Sequence, residues 1–244
     1  MAPADGLALA ALYAYPPNRY GYCGRPSFRA ALSACLERGA GTGGLRSELL
    51  KFHAQSAYLS LIARHSGLGM FDRRVVRAFW LGGPLLGRVP RDALQPFITD
   101  ELFSGRQGAR ARALCASLPE GLLPHHTFNV LFINFVSLGV PRTVGNFDSC
   151  CVSAGRVLSV DGERALVARK AITRNPSGFA LAERRSAVAL RKGGLRLIGD
   201  VRPGDVVSVH WGMAVEKLGA RDAASLMHYT QKNIDAINGT GRRL

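Results

Sequence analysis

The hydrophobic period of this chain changes once, from helical to alternating near Asp148, and that change limits what each part can fold into. Before it, Leu45, Leu49, Ala57 and Leu61 recur in phase with Leu50, Ala54, Tyr58 and Ile62. Such a stripe predicts one helix of about five turns, with the glycines Gly39 to Gly44 ahead of it and Gly67 and Gly69 behind as breakers. Further helices are expected over 27–37, 73–81 and 91–103, the last kinked or restarted at Pro96. Residues 128–138 are apolar on nearly all sides and predict the most buried helix.

Beyond Asp148 the residues alternate. Arg156 to Val160 and Arg164 to Val167 form a hairpin around Asp161-Gly162, a pair suited to a type I′ turn. A second hairpin, 187–191 with 195–198, turns on Lys192-Gly193-Gly194. Arg202-Pro203-Gly204-Asp205 is a turn with proline second and glycine third, leading into the β-branched run 206–209. Short strands so close together favour closure into a small OB-like barrel, since closure removes exposed edges. Residues 220–238 read as a C-terminal helix. The expectation is an α+β protein: an all-helical domain over 1–145, then a small OB-like β-barrel with a C-terminal helix over 146–244.

Composition narrows the class. With 244 residues and 47% hydrophobic content the chain can bury a real core. Its longest apolar run, Phe128 to Val140, contains two asparagines and falls short of the roughly 18 residues of a membrane span. The N-terminus opens Met-Ala-Pro-Ala-Asp without the basic start of an export signal, so a cytoplasmic location is expected. The net charge of +15 prompts a nucleic-acid hypothesis, but it is shared evenly, +7 over residues 1–149 (16 basic, 9 acidic) and +8 over 150–244 (16 basic, 8 acidic). No basic tail or block exists, which makes nucleic acid an unfavoured partner.

Five cysteines without a CxxC motif support neither a disulfide framework nor a closed zinc site of local spacing. Gly39-Ala-Gly-Thr-Gly-Gly44 matches a dinucleotide fingerprint in letters, yet it lies between helices and reads as a connection. His125 and His126 are adjacent, and neighbours in a helix point about 100° apart, so both cannot serve one ion from a regular helix. One of them is expected to cap the helix start. Cys150 and Cys151 are taken by composition alone as small buried hydrophobes.

The motifs of the second half change that reading. Cys150-Cys-Val-Ser-Ala-Gly-Arg-Val157, followed by the Asp-Gly hairpin, resembles the start of the HypC/HupF-type chaperones that assemble NiFe-hydrogenases, in which a cysteine stands five residues before a glycine, a basic residue and valine. Pro203-Gly-Asp-Val-Val-Ser-Val-His-Trp-Gly-Met-Ala214 is similar to that family's Pro-Gly-Asp, strand, Val-His-x-Gly-x-Ala segment. The resemblance covers roughly residues 149–238. It departs in having Ala154 where the family has proline, a cysteine placed in mid-chain, and an extra stretch over 173–186. What it implies is an iron fragment with cyanide and carbonyl ligands held by a thiolate, a soft donor suited to such iron. Cys150 would be the ligand and His210 its neighbour, with Cys151, His126 and Cys23 as weaker candidates. The implied partner is another metallocofactor-assembly protein or a hydrogenase large subunit. A nearby imidazolium, or Arg156, would lower the Cys150 thiol.

The first half resembles a largely actinobacterial group of bacterial proteins of unassigned function through Ala14-Tyr-Pro-Pro-Asn18, Gly21-Tyr-Cys-Gly24 and His125-His-x-Phe-x-Val130. Two alternatives stand beside the assembly reading. One is a cysteine-dependent enzyme using Cys150 and His210 as a thiolate and imidazolium pair on a small electrophile between the halves. The other is an OB-type nucleic-acid module, which needs exposed aromatics on its strands.

Overall fold

A computed structural model describes residues 5–38, 42–104, 107–134 and 140–240. The helical part comprises α1 (Gly6–Arg19), α2 (Ser27–Arg38), α3 (Thr42–Leu49), α4 (His53–Ser66) and α5 (Arg73–Leu81). After 3₁₀ turns at Pro84–Arg88 and Arg91–Ala93 come α6 (Leu94–Pro96), a π-helical turn at Phe97–Leu102, α7 (Gly108–Ala116), a second π-helical turn at Phe128–Phe132 and α8 (Val144–Cys150). The strands are β1 (Ser153–Asp161), β2 (Arg164–Asn175), β3 (Gly178–Ala189), β4 (Arg191–Lys192), β5 (Leu195–Arg196), β6 (Val206–His210) and β7 (Met213–Lys217), followed by α9 (Ala220–Asn238). The architecture is α+β as expected, with a closed barrel in the order β1-β2-β3-β7-β6. No helix among the described residues is long and apolar enough to cross a membrane.

Local chemistry explains where several elements begin and end. Asp72 opens α5 by accepting the Arg74 N–H at 2.8 Å, and Gly82 ends it with φ 80°. The Gly204 φ of 91° and the Asp205 N–H to Arg202 O bond fit a type II turn before β6. Asn238, at the end of α9, binds both backbone groups of Phe179 on β3 (2.9 and 2.8 Å). A Cβ on Gly178 would lie 2.2 Å from the Asn238 oxygen, so this docking requires glycine.

Five expectations need correction. The stripe predicted as one helix is two, α3 and α4, because Phe52 leaves helical geometry (ψ 77°) to pack edge-on against Phe28 while the Leu49 carbonyl accepts the Phe52 N–H and the Ser56 hydroxyl. The break is short, so the apolar phase survives it and the sequence period does not register it. Residues 91–103 form a 3₁₀ turn, three α residues and a π turn around Pro96, which lacks the N–H a regular helix needs. Residues 128–138 hold a fully buried π turn over Phe128–Phe132, while 135–139 lie outside the described residues. The first barrel turn is Gly162-Glu163, with Asp161 paired to Arg164; its one positive φ, at Gly162, belongs to the II′ pattern and not to I′. Finally, 173–186 forms the turn of the β2–β3 hairpin with the strand on either side of it, and Ala187–Ala189 continues β3 against β2, leaving only β4 and β5 for the smaller hairpin. Of the glycine-rich connection, residues 39–41 lie outside the described residues, and Gly43 and Gly44 belong to α3.

The barrel has its own interior, built from residues such as Val157, Val167, Val188, Val207 and Ala214. A larger core runs continuously from the helices to the outer wall of the barrel, joining Tyr13 and Trp80 to Phe147, Trp211 and Met213. α8, at the expected boundary, is clamped to β2 by a buried bidentate pair, Arg169 to Asp148 at 2.9 and 2.7 Å, and Asp148 also accepts the Ile172 N–H.

Candidate metal centre

The site is prepared in α1. Proline at 17 has no N–H, so the carbonyl of Tyr13, four residues earlier, lacks its helical partner. His210, the last residue of β6, supplies one: its Nδ1–H donates to the Tyr13 carbonyl at 2.9 Å. A carbonyl only accepts, so Nδ1 carries the proton and Nε2 keeps its lone pair. That Nε2 atom is buried with no hydrogen-bond partner.

The next two residues form the turn into β7, and both have positive φ, 48° at Trp211 and 69° at Gly212, as a type I′ turn requires. The conformation is costly for a tryptophan. In return the Trp211 N–H binds the Ser149 carbonyl at 2.7 Å, drawing the end of α8 and thus Cys150 beside His210. His126 comes from the other direction. Asn233 of α9 binds both backbone groups of Leu123 and the Thr127 hydroxyl, holding that segment against the core. The His126 ring packs 4.3 Å from Trp80 and edge-on to His210 at 5.5 Å between centroids.

The result is a buried group of three, His126, Cys150 and His210, whose donor atoms lie within 4.8 Å of one another. Zinc-type ions bind nitrogen at about 2.0–2.1 Å and sulfur at about 2.3 Å, so one ion between these atoms needs only small side-chain adjustments. Three protein donors leave a coordination position open. The His126 Nδ1 is also buried and unpartnered, so each imidazole holds a nitrogen with no completed hydrogen bond, the Cys150 backbone approaching the His210 ring without forming one. Nitrogen and sulfur donors of this kind suit zinc, iron or copper and not magnesium or calcium. The residues present therefore fit a transition-metal ion.

Burial sets the protonation of the metal-free group. Desolvation pushes His210 down to about 3, and desolvation with the neighbouring His210 and His125 holds His126 well below its ordinary value. Burial drives the Cys150 thiol well above its ordinary value, the nearby Cys23 adding to the effect while the Trp211 indole opposes it. The Trp211 N–H faces the sulfur without completing a well-aligned hydrogen bond. The expectation of a lowered thiol is thus reversed: no imidazolium is present to lower it, and Arg156 turns outward to the Gly204 carbonyl at 3.4 Å. A bound cation would invert this balance, since a coordinating thiol is deprotonated outright.

The group lies against a cavity of about 270 Å³ between the helices and the barrel, walled by Tyr22, Phe52, Trp80 and Trp211. Cys23 lines this cavity, with its thiol raised to about 11 by burial, but it is outside the compact group of three. Asn18 pins its loop by donating to the Cys23 and Arg25 carbonyls. Cys151 points elsewhere, lining a separate space with Asp148 and Met227; it is the C-cap residue of α8, where the chain leaves the helix that ends at Cys150. Of the two adjacent histidines only His126 joins the group, and His125 bonds the Thr127 hydroxyl in place of the expected cap.

Sequence reasoning missed the framework behind these ligands. The Tyr13 hydroxyl donates to the buried Glu216 at 2.7 Å, and Arg77 pairs with Glu216 at 3.2 Å and with Asp222 at 2.6 Å. This network joins α1, α5, β7 and α9 around the site. Tyr13 four residues before Pro17 was the legible signal for the freed carbonyl.

Fold and site together define an α+β protein in which a helical part and a closed barrel enclose a cysteine and two histidines fit for a metal. The chain belongs to a family of unknown function, DUF6390, whose model matches residues 2–243. Neither a curated protein nor a solved structure shows significant similarity to it.

Proposed function

We propose that the protein binds a single transition-metal ion through His126, Cys150 and His210 and acts as an accessory protein in metalloenzyme assembly, with iron for a NiFe-hydrogenase as its cargo. The observation that carries the metal reading is the buried group of one cysteine and two histidines that can bring a donor atom each within 4.8 Å of the others, each imidazole also holding an unpartnered ring nitrogen. The assembly reading is supported by the resemblance of 149–238 to HypC/HupF-type chaperones and by the adjacency of Cys150, at the end of α8, to His210, at the end of β6. A thiolate suits iron with π-accepting cyanide and carbonyl ligands, and the three residues that would hold it line a cavity with room for small ligands. In this reading the partner that delivers or receives the iron is another assembly protein or a hydrogenase large subunit.

The enzyme alternative loses support in its thiolate and imidazolium form, because both groups are neutral without a cation. The nucleic-acid alternative requires an exposed aromatic platform, and Trp211 is buried. Anaerobic isolation from the native host, with metal analysis and infrared spectroscopy, tests the proposal. One iron per chain with carbonyl and cyanide stretches, lost in Cys150→Ala, is the expected result. Protein that carries no metal and takes up no cobalt(II) when offered it overturns the reading.

A further inference from the structure

The cavity beside the metal ligands holds polar groups that a metal does not satisfy. Gln55, in the first turns of α4, lines it and is 6% exposed, yet neither its side-chain oxygen nor its nitrogen has a hydrogen-bond partner. Asn129, from the π turn at Phe128–Phe132, lines the same cavity at 9% exposure with its side-chain oxygen unpartnered. An unmet buried amide group is destabilising, so three such atoms around one space point to a ligand that meets them.

Their chemistry narrows the ligand. Gln55 offers one donor group and one acceptor, and Asn129 offers an acceptor. The complement is a carbonyl oxygen with an NH₂ beside it, which is a primary carboxamide. Among the described residues that line the cavity the one formal charge is Lys51, which is paired with Glu48, so the wall favours an uncharged molecule over an anion or cation. Tyr22, Phe52, Trp80 and Trp211 present aromatic surface for a flat apolar body. We propose that this cavity binds a small uncharged primary carboxamide with a planar apolar substituent, seated by Gln55 and Asn129. The inference deepens the metal reading and rests on it only in placing the amide beside the ion's open position.

The chain reports its own occupancy, because Trp80 and Trp211 are its two tryptophans and both line the cavity. Benzamide titrated into the full-length protein is expected to change tryptophan fluorescence saturably. Acetophenone keeps the carbonyl and ring but lacks the NH₂, and benzoate adds a charge; both are expected to bind at least about tenfold more weakly, since a site built around a hydrogen-bonding group rejects the analogue without it. Gln55→Leu, of similar size and free of unmet polar atoms, is expected to weaken benzamide by a similar factor. Equal binding of acetophenone, unchanged binding by Gln55→Leu, or no saturable response to benzamide overturns the proposal, the last assigning the cavity to water. Cobalt(II) uptake in the same samples separates the two readings. Cobalt bound without benzamide sinks the carboxamide site alone, whereas benzamide bound without cobalt supports that site and sinks the metal reading.

Discussion

The Nδ1–H of His210 donates to the carbonyl oxygen of Tyr13 at 2.9 Å across 197 positions of sequence. This bond sets the tautomer of a candidate ligand on the barrel by means of a helix from the other end of the chain. The carbonyl is available only because Pro17 cannot donate to it. Pro17→Ala restores a competing helical N–H, and the expected result is a loss of metal affinity of about 10–100-fold, the usual consequence of removing a partner that orients a ligand. Competition with a chromogenic chelator measures it, and wild-type affinity in the variant would remove the orienting role from Tyr13.

Cys150 and Cys151 separate cleanly by location. Cys150→Ser is expected to abolish the thiolate-to-cobalt charge-transfer band, while Cys151→Ser leaves the band intact and lowers stability by about 1 kcal/mol through a polar group introduced into a buried site. Absorption spectra of the two cobalt-loaded variants decide the point. A band that survives Cys150→Ser would place the metal elsewhere.

Glu216 is 3% exposed and satisfied by Arg77 and Tyr13. Arg77→Met strands this carboxylate and is expected to cost about 3–5 kcal/mol, whereas Arg77→Met with Glu216→Gln recovers a large part of the loss. Urea unfolding of the three proteins tests this coupling. Additive losses would show that the two residues act independently.

Acid is expected to unfold the metal-free protein early. His210 and His125 sit near 3 and 4 when folded and return to about 6.5 when unfolded, so the unfolded chain binds protons first as the pH falls. Stability is therefore flat with pH above about 7 and declines between about 6.5 and 4, at up to about 1.4 kcal/mol per pH unit for each histidine. Urea midpoints across that range, taken in the presence of a chelator, measure the decline. A profile level down to pH 5 would show that these rings are not held neutral by burial.

The order of helices and strands was largely legible in the sequence because it depends on neighbours along the chain. Residues 73–81 and 220–238 form helices over those very spans, since apolar spacing, the Asp72 cap and the flanking glycines Gly82, Gly219 and Gly239 are all local. The strands around Gly162 and Gly204 are local in the same way, although the type of the first turn depended on which residues paired across it. Cys150 and His210 were readable as a pair through the motifs that carry them. The tertiary structure alone decided the rest. It set His126 and not His125 beside Cys150 and His210, split the long apolar stripe at Phe52 and set Gln55 and Asn129 around the cavity. Each of these depends on groups brought together by packing from distant parts of the chain, and a hydrophobic period carries no record of which side chain meets which across a core. Burial also reversed the expected charge of the thiol and the imidazole, because desolvation is a property of the enclosed site and not of the residues that line it.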